Sequence, residues 1–139
     1  MSNTRYTVAI HVLTLLAHCA PESVTSEFIA GSVNTHPVVI RRILGSLRSA
    51  GLVRSQGGPG GGWQLLQDPQ RITLREVLRA VGGEALFPLH GSQPNPACPV
   101  GRNIQVLLAI RFGQAREAME RVLERSTIAQ LVEEVKVLS

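Results

Sequence analysis

Residues 54–66 read RSQGGPGGGWQLL, and this stretch decides how the middle of the chain folds. Five of the thirteen glycines lie here, at positions 57, 58, 60, 61 and 62. Short apolar segments flank the glycines, at Leu52 and Val53 before them and at Trp63 and Leu65 after them. Because glycine tolerates positive φ and close backbone approach, the pattern predicts a two-stranded β-hairpin with a projecting tip.

Two other interpretations of this stretch stay open from the loop alone. An ordinary surface hairpin has the same local pattern as a hairpin that contacts DNA. A phosphate-binding nucleotide loop also contains glycines, but its glycines run into a helix and are accompanied by a lysine. Here Trp63, Gln64 and Leu65 continue as a strand, which disfavours the nucleotide loop.

Positive charge is concentrated beside this hairpin. The whole chain has 14 basic and 10 acidic residues, and thirteen of the basic residues are arginine. Residues 37–63 contain four arginines and no aspartate or glutamate, whereas residues 64–139 contain nine basic and eight acidic residues. A basic excess confined to one segment indicates a polyanionic partner.

Length and composition limit the architecture. A chain of 139 residues suits one domain, or a small domain with an oligomerisation element. The 4% of aromatic residues means that the core depends on Leu, Val, Ile and Ala. Two cysteines cannot form a disulfide framework, and neither a signal peptide nor a sufficiently long apolar stretch is evident. We therefore expect a cytoplasmic protein.

Helical periodicity predicts a mainly α-helical chain in which the hairpin is the wing of a winged helix-turn-helix. A broad apolar stripe covers residues 6–19. Thr25 can cap a short helix over residues 26–33, and Pro37 suits the first turn of a helix ending near residue 50. Two short helices separated by about three residues, the second of them basic, are typical of a helix-turn-helix.

The rest of the chain predicts a loop and a long helix. A capping box at residues 73–76 opens a helix that ends at residue 81, and residues 84–99 form a loop. A long helix covers residues 100–125, and Thr127 caps a last one. We therefore divide the chain into a DNA-binding domain at 1–83, a candidate sensing loop at 84–99 and dimerisation helices at 100–139.

The long helix carries apolar residues at the spacing of a coiled-coil seam: Leu108, Phe112, Ala115, Met119 and Val122. A second apolar set adjoins this seam: Val106, Leu107, Ile110, Val122 and Leu123. One set can pack against its own chain. A second copy of the chain, related by a twofold axis, is the simplest way to bury the other set. The sequence thus predicts a homodimer, with a helix buried inside a monomer as the alternative.

The helix over residues 37–50 separates a core side from a DNA side. On a helical wheel Ile40, Ile43, Leu44 and Leu47 cluster together and must face the core. The opposite side carries Arg42, the best candidate for a bidentate bond to guanine, with Val38 and His36 near base edges. Arg41 and Arg48 share one flank and suit phosphates. The predicted DNA-binding residues are Thr25, Ser26, His36, Pro37, Val38, Arg41, Arg42, Arg48, Arg54, Gln56, Gly57, Gly58 and Gly60.

Several motifs in order resemble one family of bacterial regulators. The runs NTHPVVIRRIL from residue 34, AGLVR from residue 50 and GPGGGW from residue 58 are similar to the winged-helix regulators that include IscR, NsrR and CymR. The run NPACPVGRNIQ from residue 95 looks like the YwnA-like branch, which lacks the iron–sulfur cysteines. The resemblance implies a homodimeric transcription factor, usually a repressor, whose long helix pairs the subunits.

This chain departs from the family at two places. IscR-like members hold an iron–sulfur cluster with three cysteines in the loop, some adding a histidine, and here Cys98 alone aligns with a ligand. The other cysteine positions fall near Leu86 and Ser92, and the histidine position is Gly101. His11 and His90 could join Cys98 at a metal, but we expect neither metal nor cofactor. In the wing, Gly57 stands where relatives often have a minor-groove arginine, so either Gln56 or Arg54 replaces it or minor-groove reading is weak.

Cys98 is the candidate sensor. It lies next to the expected amino end of the long helix, where the helix dipole lowers the pKa of a thiol. A structural role in packing is the alternative, and Cys19, at the end of an apolar helix, is expected to be inert.

Three classes of function remain to be compared. The arginines and the glycine wing favour a sequence-specific DNA-binding regulator that binds double-stranded operator DNA. The alternative is a winged-helix module for protein contacts, which would carry acidic or apolar residues where Arg42 stands. The third class is an enzyme. No catalytic residue is predicted, because the sequence lacks paired carboxylates, a nucleotide-loop lysine and metal motifs.

Overall fold

The computed structural model describes residues 4–82 and 86–139. Six helices and one hairpin follow in the order α1 (Arg5–Cys19), α2 (Ser26–Val33), α3 (Pro37–Ser49), β1 (Val53–Gln56), β2 (Gly62–Leu65), α4 (Leu74–Val81), α5 (Pro99–Leu123) and α6 (Ile128–Leu138) in the described part of the chain. The predicted class, mainly α with a small β-hairpin, is confirmed. A single 3-10 turn at Pro69–Arg71, which the sequence analysis did not predict, precedes α4.

A first compact unit contains the described residues 4–82 and 123–139. Its core is aliphatic, as the low aromatic content requires. The side chains buried most completely come from α1, α2, α3 and the segments that follow them: Leu13, Leu16, Ile29, Ile40, Ile43, Leu44, Leu47, Ile72 and Ile128. The helix-turn-helix and the hairpin are therefore fixed to one core.

Helix α6 belongs to this first unit, although residues 100–139 were predicted together as dimerisation helices. Thr127 and Gln130 form the predicted capping box, so a new helix begins after α5. Ile128 and Val132 are buried in the first unit, and the Ile128 amide donates to the Ile72 carbonyl at 2.9 Å. Burial of its apolar face ties α6 to the core beside α1.

A second compact unit contains the described residues 86–122, so residues 84 and 85 of the predicted loop lie outside the description. Its main element is α5, none of whose residues is fully buried. The ring of Phe87 in the loop lies 5.3 Å from the ring of Phe112 on α5, centroid to centroid.

Across residues 4–82 and 86–139, no helix combines the length and the apolar character that crossing a membrane requires.

Candidate nucleic-acid interface

The turn between α2 and α3 sets the direction of the basic helix. Asn34 adopts the left-handed conformation with φ of 63° and ends α2. His36 then caps α3: its Nδ1 accepts from the Val38 amide at 3.2 Å, and Pro37 follows in the first turn. His36, predicted near base edges, thus uses one ring nitrogen to begin the helix.

Helix α3 presents its arginines outward, as the wheel predicts. Ile40, Ile43, Leu44 and Leu47 are all buried. Arg42 is exposed, and within the described residues its guanidinium has no hydrogen bond or ion pair. Arg42 therefore presents its donors to whatever approaches this face.

Arg5 is a basic residue of this region that the sequence analysis missed. It begins α1, and its guanidinium donates to Ser46 Oγ on α3 at 3.1 Å. A groove of about 390 Å³ on this face is lined by Arg5, Val39, Arg42, Ile43 and Ser46. The charge count for residues 37–63 could not reveal this contact, because Arg5 is distant in sequence.

Arg41 has an acidic partner from outside residues 37–63, the segment that contains no aspartate or glutamate. Its Nη2 lies 3.1 Å from Glu27 Oε1, and both side chains are more than half exposed. The Glu27 backbone amide, the Ser26 hydroxyl and Arg41, in decreasing order, hold the pKa of the Glu27 carboxyl below its ordinary value. The pair lies on the surface, where a phosphate can compete for Arg41.

Arg48 and Arg54 are held by the hairpin. The Arg48 guanidinium carbon lies 5.6 Å from the centroid of the Trp63 ring, which is a cation–π contact between α3 and β2. Arg54 faces Gln64 across the hairpin and donates to its Oε1 at 2.9 Å. The Gln64 amide in turn donates to the Pro21 carbonyl at 2.8 Å. Both arginines are thus positioned relative to the wing.

The base of the wing is attached to the segment before α2. The amides of Val24 and Trp63 each donate to the carbonyl of the other, at 3.0 and 2.8 Å. A Cβ on Gly61 would overlap the carbonyl oxygens of Gln56 and Gly58, and one on Gly62 would press on Val24. The turn and this attachment therefore require glycine at both positions.

The remaining predicted contact residues lie at the amino end of α2 and at the wing tip. Thr25 Oγ1 accepts from the Phe28 amide at 3.1 Å and caps α2. Ser26 is buried, and its hydroxyl donates to Glu27 at 3.2 Å. The exposed residues of the wing tip include Gln56, Gly57, Gly58 and Gly60.

Cys98 is exposed and directly precedes α5. Hydrogen bonds from the Gly101 and Val100 amides lower the pKa of its thiol from the ordinary 9.0, because these donors favour the thiolate. Nearby, the Arg102 guanidinium donates to the Pro96 carbonyl at 3.3 Å. Cys19 is partly buried at the end of α1.

Helix α5 leaves large apolar side chains in solvent. Val106, Leu107 and Ile110 are 64%, 47% and 55% exposed, and Val122 is exposed too. In the predicted seam Leu108, Phe112 and Met119 are half-buried, whereas Ala115 is exposed. The second apolar set is therefore more exposed than the predicted seam.

Comparisons with known proteins agree with this geometry. The family model Rrf2, described as an iron-dependent transcriptional regulator, matches residues 2–134. The chain belongs to the Rrf2 family. It is 43% identical over 133 residues to YwnA of Bacillus subtilis, which bears the name of an HTH-type transcriptional regulator, and the match covers 95% of this chain and 97% of YwnA.

Solved structures of Rrf2-like proteins show the same fold. A crystallised DNA-binding protein is 38% identical, with a TM-score of 0.73 over 91% of this chain and 97% of its own. The oxidized form of Staphylococcus aureus CymR is 27% identical, with a TM-score of 0.68 over 96% of this chain and 97% of its own. The predicted resemblance is confirmed, and the chain is a DNA-binding transcription regulator, not an enzyme.

The iron named in the description of the family finds no fitting set of donor groups among the described residues. Within residues 4–82 and 86–139, no three His, Cys, Asp or Glu side chains are grouped so that they could hold a metal ion. At Gly101, where some relatives have a histidine, a Cβ would overlap the Asn95 carbonyl oxygen. Cys98 alone in its loop cannot hold an iron–sulfur cluster.

Proposed function

We propose that this Rrf2 protein is a homodimeric repressor that acts in the cytoplasm, reads operator DNA with α3 and the hairpin, and responds to oxidation at Cys98. The observation that carries the proposal is the exposed arginine face of α3 beside the wing. Arg42 has no partner among the described residues, and the Arg48–Trp63 contact links α3 to β2. Helix and wing together form one basic surface.

The arginines of this surface have different roles in the proposal. Arg42 bonds guanine in the major groove, because it projects from the amino-terminal half of α3. Arg41, Arg48 and Arg54 bind phosphates, and Arg41 exchanges Glu27 for a phosphate oxygen. This exchange costs little, since an exposed ion pair is solvated and screened and contributes little net free energy.

Pairing through α5 supports the homodimer. Val106, Leu107 and Ile110 lie within five residues and remain exposed in the single chain. A second copy covers such a surface symmetrically, and the two α3 helices then meet successive major grooves. Leu108, Phe112, Ala115, Met119 and Val122 extend the same contact.

A thiol response is supported by the position of Cys98. The residue is exposed, and two backbone amides favour its thiolate, which is the nucleophilic form that attacks peroxide. A solved structure of the relative Staphylococcus aureus CymR is of an oxidized form, which supports proposing a response to oxidation here. Oxidation adds bulk and polarity where the loop meets α5.

Selection from a pool of random DNA duplexes tests the function directly. We expect enrichment of an inverted repeat whose half-site centres are about 34–36 Å apart, or a multiple of this distance. A reporter gene placed downstream of the selected site should lose expression when the protein is present. If the folded dimer recovers DNA without enriching any sequence, the proposal that it reads an operator is contradicted. The alternative, a winged-helix module for protein contacts, would then be favoured.

A further inference from the structure

We propose that Arg5, at the start of α1, binds a DNA phosphate on the strand opposite to the one contacted by Arg41 and Arg48. This role rests on the proposed function and adds a contact from a helix outside the helix-turn-helix. The major groove has two walls, which are the sugar–phosphate backbones of the two strands. A helix with its side chains is about 10–12 Å across and the groove is about 12 Å wide, so a helix seated there faces both strands.

Helix α3 supplies cations to one of these walls but not to the other. Successive residues are rotated by about 100° around a helix axis, which puts Arg41 and Arg48 together on one flank. Arg42 points between the two flanks. Val39 and Ser46 occupy the flank on the far side of Arg42, and no basic residue of α3 lies there. One DNA strand would therefore lack a cationic contact if α3 acted alone.

Arg5 reaches this second flank from α1. Its Nη2 donates to Ser46 Oγ at 3.1 Å, and Ser46 Oγ donates in turn to the Arg42 carbonyl at 3.4 Å. The Ser46 hydroxyl thus fixes a guanidinium beside a flank that has none of its own. Because a guanidinium carries five N–H donors, Arg5 can bind Ser46 and a phosphate oxygen together.

The space between these groups suits an anion. Arg5, Arg42 and Ser46 line one groove of about 390 Å³ together with Val39 and Ile43. None of the described residues in this lining is acidic. Two guanidinium groups at one groove repel each other, and an anion between them relieves this repulsion. On a face that reads DNA, the anion that enters the groove is a backbone phosphate.

The salt dependence of binding tests whether Arg5 contacts a phosphate. Arg5→Gln keeps a donor for Ser46 and removes the charge. It should weaken binding to the selected operator and to a scrambled duplex alike, by about fivefold, and lower the slope of log Kd against log salt by about one for each subunit bound. Arg125→Gln removes the same charge from an exposed position after α5 and should leave both quantities unchanged.

A second variant separates the position of the guanidinium from its charge. Ser46→Ala keeps Arg5 but removes the acceptor that orients it. It should weaken binding to both duplexes about twofold without changing the salt slope, because the charge remains and only its preorganisation is lost. Arg5 is exposed and alanine is favourable in a helix, so both variants should fold, which urea unfolding checks.

Methylphosphonate substitution, which neutralises a single phosphate, locates the contact on the operator. The substitution is placed at the same point of both half-sites and moved along each strand in turn. The effect of Arg5→Gln should disappear at a position on one strand, and the effect of Arg41→Ala should disappear at a position on the other strand.

Three results would overturn the proposal: an unchanged salt slope for Arg5→Gln, an equal effect of Arg125→Gln, or loss of the Arg5 and Arg41 effects on the same strand. The scrambled duplex keeps this test separate from operator reading, because phosphates are present whether or not a sequence is selected. A folded wild-type protein that binds no DNA of any sequence would overturn both this contact and the proposed function.

Discussion

The guanidinium of Arg48 lies over the ring of Trp63 and connects the last turn of α3 to the second strand of the wing. The two residues are 15 positions apart, so only the folded hairpin brings them together. A planar cation on an aromatic face gives the junction a defined geometry. Helix and wing can consequently approach DNA as one surface.

A double-mutant cycle measures this contact. Arg48→Ala and Trp63→Leu should show a coupling free energy of about 0.5–1 kcal/mol in urea unfolding, the size of an exposed cation–π contact. Arg48→Ala should also reduce the slope of log Kd against log salt by about one, through the loss of a phosphate contact. Arg48→Lys is the control, because it keeps the charge and should keep the slope. Additive stability changes would show that the two side chains do not interact.

The tight turn of the wing gives a second prediction. Gly61→Ala should lower the free energy of unfolding by about 1–3 kcal/mol, because its Cβ would overlap the Gln56 carbonyl oxygen and force the loop to move. Gly57→Ala is the matched control, since a Cβ there meets nothing within 4 Å. Equal urea midpoints for the two variants would contradict the turn described above.

Cys98 should react as a low-pKa thiol. In a Cys19→Ala background, the rate of alkylation by iodoacetamide should reach half its maximum at a pH below 9.0, because backbone amides favour the thiolate. The reaction therefore slows only as pH falls through this lowered value. Protein unfolded in urea, which lacks these amide donors, is the control and should titrate near the ordinary value.

Peroxide links this thiol to DNA binding. Mild peroxide should weaken operator binding by wild-type protein, and reductant should restore it, whereas Cys98→Ser should bind equally well before and after treatment. If the serine variant loses binding just as the wild type does, Cys98 has a packing role and the signal acts elsewhere.

Charge on α5 should separate the subunits. Leu107→Glu combined with Ile110→Glu places two carboxylates in the exposed apolar set, and sedimentation velocity should then show a monomer. Ala109→Glu adds charge at an exposed position on a different side of the same helix and should remain dimeric. A wild-type protein that sediments as a monomer at micromolar concentration would rule out the proposed homodimer.

Local patterns predicted the elements better than they predicted the contacts. The 3.6-residue period identified the buried side of α3, including Ile40 and Leu44, because helix geometry alone separates the two sides. The glycines identified the hairpin for the same local reason. The pairing of Arg41 with Glu27 was missed because it depends on how α2 and α3 pack. The position of α6 was missed because it depends on burial of Ile128 in a core whose other members are distant in sequence.

The central claim is that Arg42 reads a base while its neighbour Arg41 contacts the backbone. Fluorescence anisotropy with the selected operator and a scrambled duplex, measured at one salt concentration, compares the two substitutions most directly. Arg42→Ala should cost about 1–3 kcal/mol on the operator and much less on the scrambled duplex, so that specificity falls. Arg41→Ala should weaken both duplexes alike. Equal losses on both duplexes for both variants would contradict the assignment of α3 as the reading helix.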